Sequence, residues 1–360
     1  MEMHVVKPRQ WIFGFIFAFI IIWAFSALFG DTVITYTWSP DSGTWIRPPG
    51  SIHRHRSEGW ATSYFGKLDV QGINDISRIK LPAIAIWGDS HVEAFQVEQQ
   101  KKMQEVLVGL LKANGIKNIT AFGIGQSGDS VADYYFKIPR YEKICSTIIA
   151  HYIILTDFND VFPNQPLVGH ASFQANPRYQ IVDIKGKPDH LRIRAFLRKW
   201  GLDFVWLSAV TVIKDTRLRF SPGPCKVRLK SREVAHDQDP EKAFSFLLRA
   251  LRNQTTKPII FVYCPYVPAI DGGKVNFNDQ KVNIIHVFAR ECRRNGIDFI
   301  DLTQDFYSCY RETGTFPRGF INTRPSEGHF NGAGHRLIAK AIYRTAYLSP
   351  NGVFDDFHTN

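Results

Sequence analysis

Four short apolar runs, Ala83–Trp87, Ile119–Phe122, Ile148–Leu155 and Ile259–Cys264, are separated by stretches with helical periodicity. A strand apolar at nearly every position must be covered on both faces, which is the condition of a parallel sheet between helices. Met103, Val106, Leu107, Leu110 and Leu111 share one face of a helix after the first run. Helices from about Ser130, over Glu241–Asn253, over Gln280–Arg294 and from Gly334 to Leu348 continue the alternation, with a fifth strand at Asp298–Leu302. The rhythm predicts a three-layer α/β/α domain around a mainly parallel five-stranded sheet. Ligands of such sheets bind beyond the carboxyl ends of the strands. Ser90, Gly128 and Asn159 each follow an apolar run, so all three fall on that edge.

Trp11–Phe29 holds no charge in nineteen residues and contains six Phe and five Ile. At ~1.5 Å per residue it nearly matches a ~30 Å hydrocarbon core. Lys7 and Arg9 precede it and Asp31 follows, so the positive-inside rule keeps residues 1–10 in the cytoplasm and exports the rest. The reading is a single-pass anchor in the inner (plasma) membrane with a periplasmic domain. The rival is a cleaved signal peptide ending near Ala24-Phe25-Ser26, for which the apolar stretch is long. Residues 30–59, with Ser39-Pro40 and Pro48-Pro49-Gly50, read as an irregular tether. The domain spans 60–350 with a tail over 351–360. The rhythm breaks at 163–240, an insertion suited to a lid or a membrane-lying surface, in which Arg192–Lys199 and Phe204–Ile213 look helical.

The net charge of +11 is scattered, which fits contact with anionic headgroups or acidic glycans, and no nucleic-acid module is present. Five cysteines (Cys145, Cys225, Cys264, Cys292, Cys309) show no zinc spacing. An oxidising compartment permits one or two disulfides that sequence cannot pair, and Cys264 reads as a core thiol.

Gly88-Asp89-Ser90-His91 places a serine at a strand end, and Glu327-Gly328-His329 supplies a carboxylate beside a histidine. These are the parts of an activated nucleophile: His329 as base, Glu327 to fix its tautomer. With Gly123-Ile124-Gly125-Gln126-Ser127-Gly128-Asp129-Ser130 and Asp157-Phe158-Asn159-Asp160 between them, the four blocks resemble, in order, those of the SGNH (GDSL-like) hydrolase superfamily over residues 60–348. The resemblance implies a flavodoxin-like fold and hydrolysis or transfer of an acyl ester through an acyl-Ser90 intermediate. The oxyanion donors would be the Ser90 and Gly128 backbone N–H groups and the Asn159 amide. His91 in fourth place is similar to members that handle O-acetyl groups on polysaccharides, so the implied partner is an acylated envelope glycan, with polysaccharide assembly proteins as further partners. No metal or organic cofactor is implied. His91 and Asp157 are candidate pocket residues. Ser326 stands where the family often has Asp, and Asp157 where it usually has Gly.

Plainer readings compete residue by residue. Ser90 with Glu93 fits a helix capping box, and Asn159-Asp160 before Pro163 fits a turn. His335 suits the packing of the last helix, and His53 and His55 suit solvent. Gly123-x-Gly125-x-x-Gly128 also satisfies a dinucleotide fingerprint, but the acid expected about 20 positions on falls at Asp157, 29 beyond Gly128. A lipid-directed esterase and a non-catalytic glycan-binding protein remain as alternative functions.

Overall fold

A computed structural model describes residues 8–157, 161, 167–174, 178–183, 186–187, 191–202, 205–207, 209–210 and 239–348. The central sheet has six strands: β5 (Val70–Gln71), β6 (Ala83–Gly88), β7 (Thr120–Gly125), β8 (Ile148–Leu155), β11 (Ile259–Tyr263) and β14 (Asp298–Asp301). Their order is β14-β11-β8-β6-β7-β5. The five expected strands are parallel, and the sixth, two-residue β5, pairs antiparallel with β7.

Alternation along β6 divides the core, because successive side chains leave a strand on opposite faces. Ala83, Ala85 and Trp87 join α4 (Val131–Ile144), α6 (Pro240–Arg252) and α7 (Val282–Arg294). Ile84 and Ile86 join α3 (Met103–Ala113), α8 (Thr303–Thr313) and α9 (Gly332–Leu348). His151, the polar residue inside β8, is buried and satisfied: Trp87 Nε1 donates to Nδ1 at 3.0 Å, and Nε2 lies 2.7 Å from Glu142 Oε1.

Residues 30–59 are folded rather than an irregular tether. β1 (Thr37–Ser39) pairs with β2 (Thr44–Ile46), and β3 (Ile52–His55) pairs with β4 (Ala61–Tyr64). Arg47 anchors them. Its guanidinium is fully buried, ion-paired with Asp69 at 2.8 Å and with Glu93, and lies over the Phe65 ring at 4.4 Å. Removing one partner of such a buried set typically costs about 3–5 kcal/mol, so this segment is fastened to the domain. His53 is also buried, between Phe65 and Phe95, and burial with the nearby Arg47 charge drives its pKa down to about 2.

α1 (Pro8–Phe29) is exposed along its described length and is long and apolar enough to cross a membrane. Of the 163–240 stretch, the described parts include the hairpin of β9 (Ser172–Gln174) and β10 (Gln180–Val182) and α5 (Leu191–Lys199), which falls on the expected first helix. The second expected helix is only partly within the described residues. Cys145, Cys264, Cys292 and Cys309 form no disulfide among the described residues, outside which Cys225 lies.

Candidate active site

β6 lies between β7 and β8, so the chain passes to one side of β6 and then returns to the other, which opens a crevice at the end of β6. Ser90 stands there as the first residue of α2 (Ser90–Glu93). Ser90 does not form the competing capping box with Glu93. Asp89 is the N-cap, accepting from His91 N at 2.9 Å, and the Glu93 carboxylate is turned to Arg47. The close seating of α2 explains the glycine-rich turn without a dinucleotide: a Cβ on Gly125 would lie 2.1 Å from Glu93 N, and one on Gly88 2.3 Å from Val92 Cγ2.

His329 Nε2 lies 3.0 Å from Ser90 Oγ. The loop carrying it is held from three sides. Gly319 N donates to His329 O at 3.0 Å, and Asn331 caps α9 by accepting from Ala333 N at 2.9 Å. Buried Arg318 donates to the carbonyls of Pro265, Cys264 and Gly328 at 3.0, 3.1 and 3.2 Å. His335, as expected, is buried in α9, where Nδ1 accepts from Met103 N at 3.2 Å.

The carboxylate on His329 is Glu58, not Glu327. Glu58 Oε2 lies 2.6 Å from Nδ1, and Oε1 accepts from His329 N at 2.8 Å. Glu327 is exposed and faces Arg324 at 3.7 Å, because a residue two before the histidine leaves the turn on its solvent side. Ser326 is buried and spends its hydroxyl accepting from Ile270 N at 2.9 Å. Glu58 sits in the turn between β3 and β4, where Asn322 pins the chain by accepting from Gly59 N at 2.8 Å and donating to Arg56 O at 2.8 Å. Burial pushes the Glu58 carboxyl up, but the hydrogen bonds and charge of His329 outweigh it and leave its pKa below the ordinary value. With Glu58 ionised, Nδ1–H donates to it and the Nε2 lone pair faces the serine hydroxyl.

Gly328 makes this approach possible. Its φ is +80°, and a Cβ there would lie 2.3 Å from Glu58 Oε1. Gly328→Ala should push Glu58 off His329 and lower kcat about 10²-fold, with the fold retained by circular dichroism.

The remaining candidates divide. His91 is buried 4.9 Å from the His329 ring and 4.4 Å from that of Phe330, so it packs behind His329 rather than lining an open cleft. Burial, with Arg318 beside it, pushes its pKa well below the ordinary value. Asp157 is ion-paired with Lys281 at 2.9 Å. Asn159 lies outside the described residues. Gly128 follows β7 on the same sheet edge with φ +93°, and a Cβ there would meet Leu167 at 2.8 Å and His170 Nε2 at 3.3 Å.

Behind Gly128, Asp129, Asp133 and His170 come close enough to hold a metal ion. Lys137 already supplies the cation, with Nζ 2.6 Å from both Asp129 oxygens. His170 adds a second: burial disfavours its charge, but the Asp129 and Asp133 carboxylates prevail and raise its pKa to about 9. A folded pKa above the unfolded 6.5 stabilises fully below pH 6.5, and the gain fades as pH rises through 9. Denaturant stability should therefore fall by at most about 3 kcal/mol across that window, and His170→Gln should flatten the fall; a flat wild-type profile would contradict the assignment.

No family model matches the chain, and no curated protein matches it. Solved structures do. An acetyl xylan esterase is 18% identical with a TM-score of 0.36, over 72% of this chain and 98% of its own. A lipase/acylhydrolase from Enterococcus faecalis is 13% identical with a TM-score of 0.38, over 73% and 94%. A psychrotrophic esterase from Pseudoalteromonas is 11% identical with a TM-score of 0.36, over 73% and 94%. The α/β/α layers are those implied by the resemblance of the sequence blocks to the SGNH (GDSL-like) hydrolases.

Proposed function

We propose that the protein is a serine-dependent acyl-ester hydrolase or transferase in which Ser90 is the nucleophile, His329 the base and Glu58 the orienting acid. The observation that carries the reading is the continuous relay from Ser90 Oγ to His329 at 3.0 Å and from His329 to Glu58 at 2.6 Å. As Oγ attacks the acyl carbon, its proton passes to Nε2, and Glu58 stabilises the imidazolium. The oxyanion would be received by backbone N–H groups of Ser90 and Gly128, with Asn159 as a third donor, where losing one donor typically costs ~3–4 kcal/mol of barrier. The imidazolium protonates the departing alkoxide, leaving acyl-Ser90. His329 then deprotonates a water (hydrolysis) or a sugar hydroxyl (transfer).

An acetyl ester on an exported or envelope glycan is the substrate class we favour, on the resemblance of Gly88–His91 to members that handle O-acetyl groups. Anchoring is supported by α1, and the charges flanking it favour a cytoplasmic N-terminus and an extracytoplasmic domain. The pairing of Asp157 with Lys281, and a carboxylate on His329 despite Ser326, weigh against a non-catalytic cleft. The full chain should hydrolyse 4-nitrophenyl acetate faster than its octanoate, and an oligosaccharide acceptor should speed acetyl release if transfer is the native reaction. Preference for octanoate would favour the lipid-directed reading, and no turnover of either by folded protein would sink the enzymatic one.

A further inference from the structure

The helix α5 (Leu191–Lys199) and the residue after it turn an apolar stripe outward. Ile193, Phe196 and Trp200 fall at i, i+3 and i+7, on one stripe, and are 53%, 56% and 61% exposed. Arg198, about 140° round the helix from Ile193, is on the side that docks to the domain, where its guanidinium donates to Val33 O at 3.1 Å and to Ile52 O. Arg198 thus faces protein together with the half-buried Leu191, while Ile193, Phe196 and Trp200 face outward. Arg192 and Lys199 are exposed along the edge of the stripe. Three large apolar side chains in a row on a mobile-solvent face cost free energy unless something covers them.

The neighbouring chain says what covers them. Trp23 of α1 donates through Nε1 to Gly201 O at 2.7 Å, so the turn that ends α5 touches α1. Trp23 lies six residues before Phe29, the end of α1, which puts the contact about 9 Å along the helix from its outer end. Amphipathic helices lying on bilayers bury their apolar face ~5–10 Å into the boundary between headgroups and acyl chains. A partner protein at that level would itself have to lie among headgroups. Trp60, 54% exposed, packs against Phe29 with ring centroids 5.6 Å apart, which adds an aromatic side chain at the same end of α1.

We propose that α5 is a second membrane contact, lying on the outer surface of the anionic bilayer with Ile193, Phe196 and Trp200 among the acyl chains and Arg192 and Lys199 at the phosphates. The proposal rests on α1 crossing that bilayer. Two contacts instead of one restrict the swing of the domain about α1. Because the turn bearing Glu58 also bears Trp60, they hold the catalytic crevice close to the membrane surface, where a membrane-tethered ester is presented.

The test uses the full chain in vesicles of phosphatidylcholine and phosphatidylglycerol. Phe196→Cys, and separately Ile193→Cys, is labelled with a nitrobenzoxadiazole dye in a background carrying Cys225→Ser and Cys309→Ser. Alkaline carbonate extraction is run on the same vesicles. The expected result is a chain that resists extraction and a dye with blue-shifted emission, quenched by lipids brominated on the acyl chain and shielded from aqueous iodide. Arg192→Gln with Lys199→Gln should weaken the bromolipid quenching, by up to about fivefold per charge in the inserted-to-free ratio. A chain that resists extraction while its dye is reached by iodide and not by bromolipid overturns the α5 contact and leaves the anchor standing. A chain released by carbonate overturns the anchor, and the α5 contact with it.

Discussion

Ser90→Ala is expected to lower kcat on an activated acetate by about 10⁵–10⁶-fold, leaving only the residual rate that substrate binding and oxyanion donors supply, with little change in stability. The loss is large because the serine, histidine and carboxylate act as a unit: without Oγ there is no acyl-enzyme, and the other two have no proton to move. Ser90 begins α2 but does not cap it, since Asp89 does. Among the described residues, removing its hydroxyl therefore breaks no side-chain bond beyond the one to His329. A folded Ser90→Ala protein that keeps a substantial fraction of its activity would mean that the nucleophile is elsewhere.

Glu58→Gln is expected to cost about 10³–10⁴-fold in kcat, the scale set when a triad carboxylate becomes an amide and the histidine tautomer is no longer enforced. Glu327→Gln should leave kcat within about twofold, as removal of an exposed charge usually does. The pair of variants separates two carboxylates that the chain places on either side of the same loop. Because the Glu58 pKa is depressed in the fold, its pairing with His329 stabilises above the unfolded carboxylate pKa of 4.5 and is lost as pH falls through the lower folded value. Activity of the wild type should decline on the same acid side. If Glu327→Gln proved the damaging change and Glu58→Gln the silent one, the arrangement at His329 would be wrong.

Four of the five parallel strands could be read in the sequence because burial on both faces leaves an apolar run, a signal independent of distant contacts, whereas the half-exposed Asp298–Asp301 was legible only from the strand-helix alternation. Ser90 and His329 were legible for a related reason: each sits in a short block whose neighbours, Gly88 and Gly328, are fixed by close approach. Glu58 was not. It reaches His329 across 271 residues, from a turn in a segment rich in proline, arginine and histidine, whose four strands are only three or four residues long. Two features were present there and understated: the alternating Ile52–His55 and Ala61–Tyr64 flank a turn containing Glu58-Gly59, which is a hairpin signal. His53, expected in solvent, is instead buried. A polar residue reads as a surface residue unless its partners are known, and here the partners are the Phe65 and Phe95 rings.

The most direct test of the Ser90–His329–Glu58 relay is site-mapped labelling with a fluorophosphonate, which reacts at a rate set by activation of the serine. Mass spectrometry of the full chain should find the adduct on Ser90 alone. It should disappear with His329→Ala, form far more slowly with Glu58→Gln and form normally with Glu327→Gln. A folded protein whose Ser90 stays unlabelled, or is labelled as fast without His329, would contradict the relay and with it the catalytic reading of the cleft.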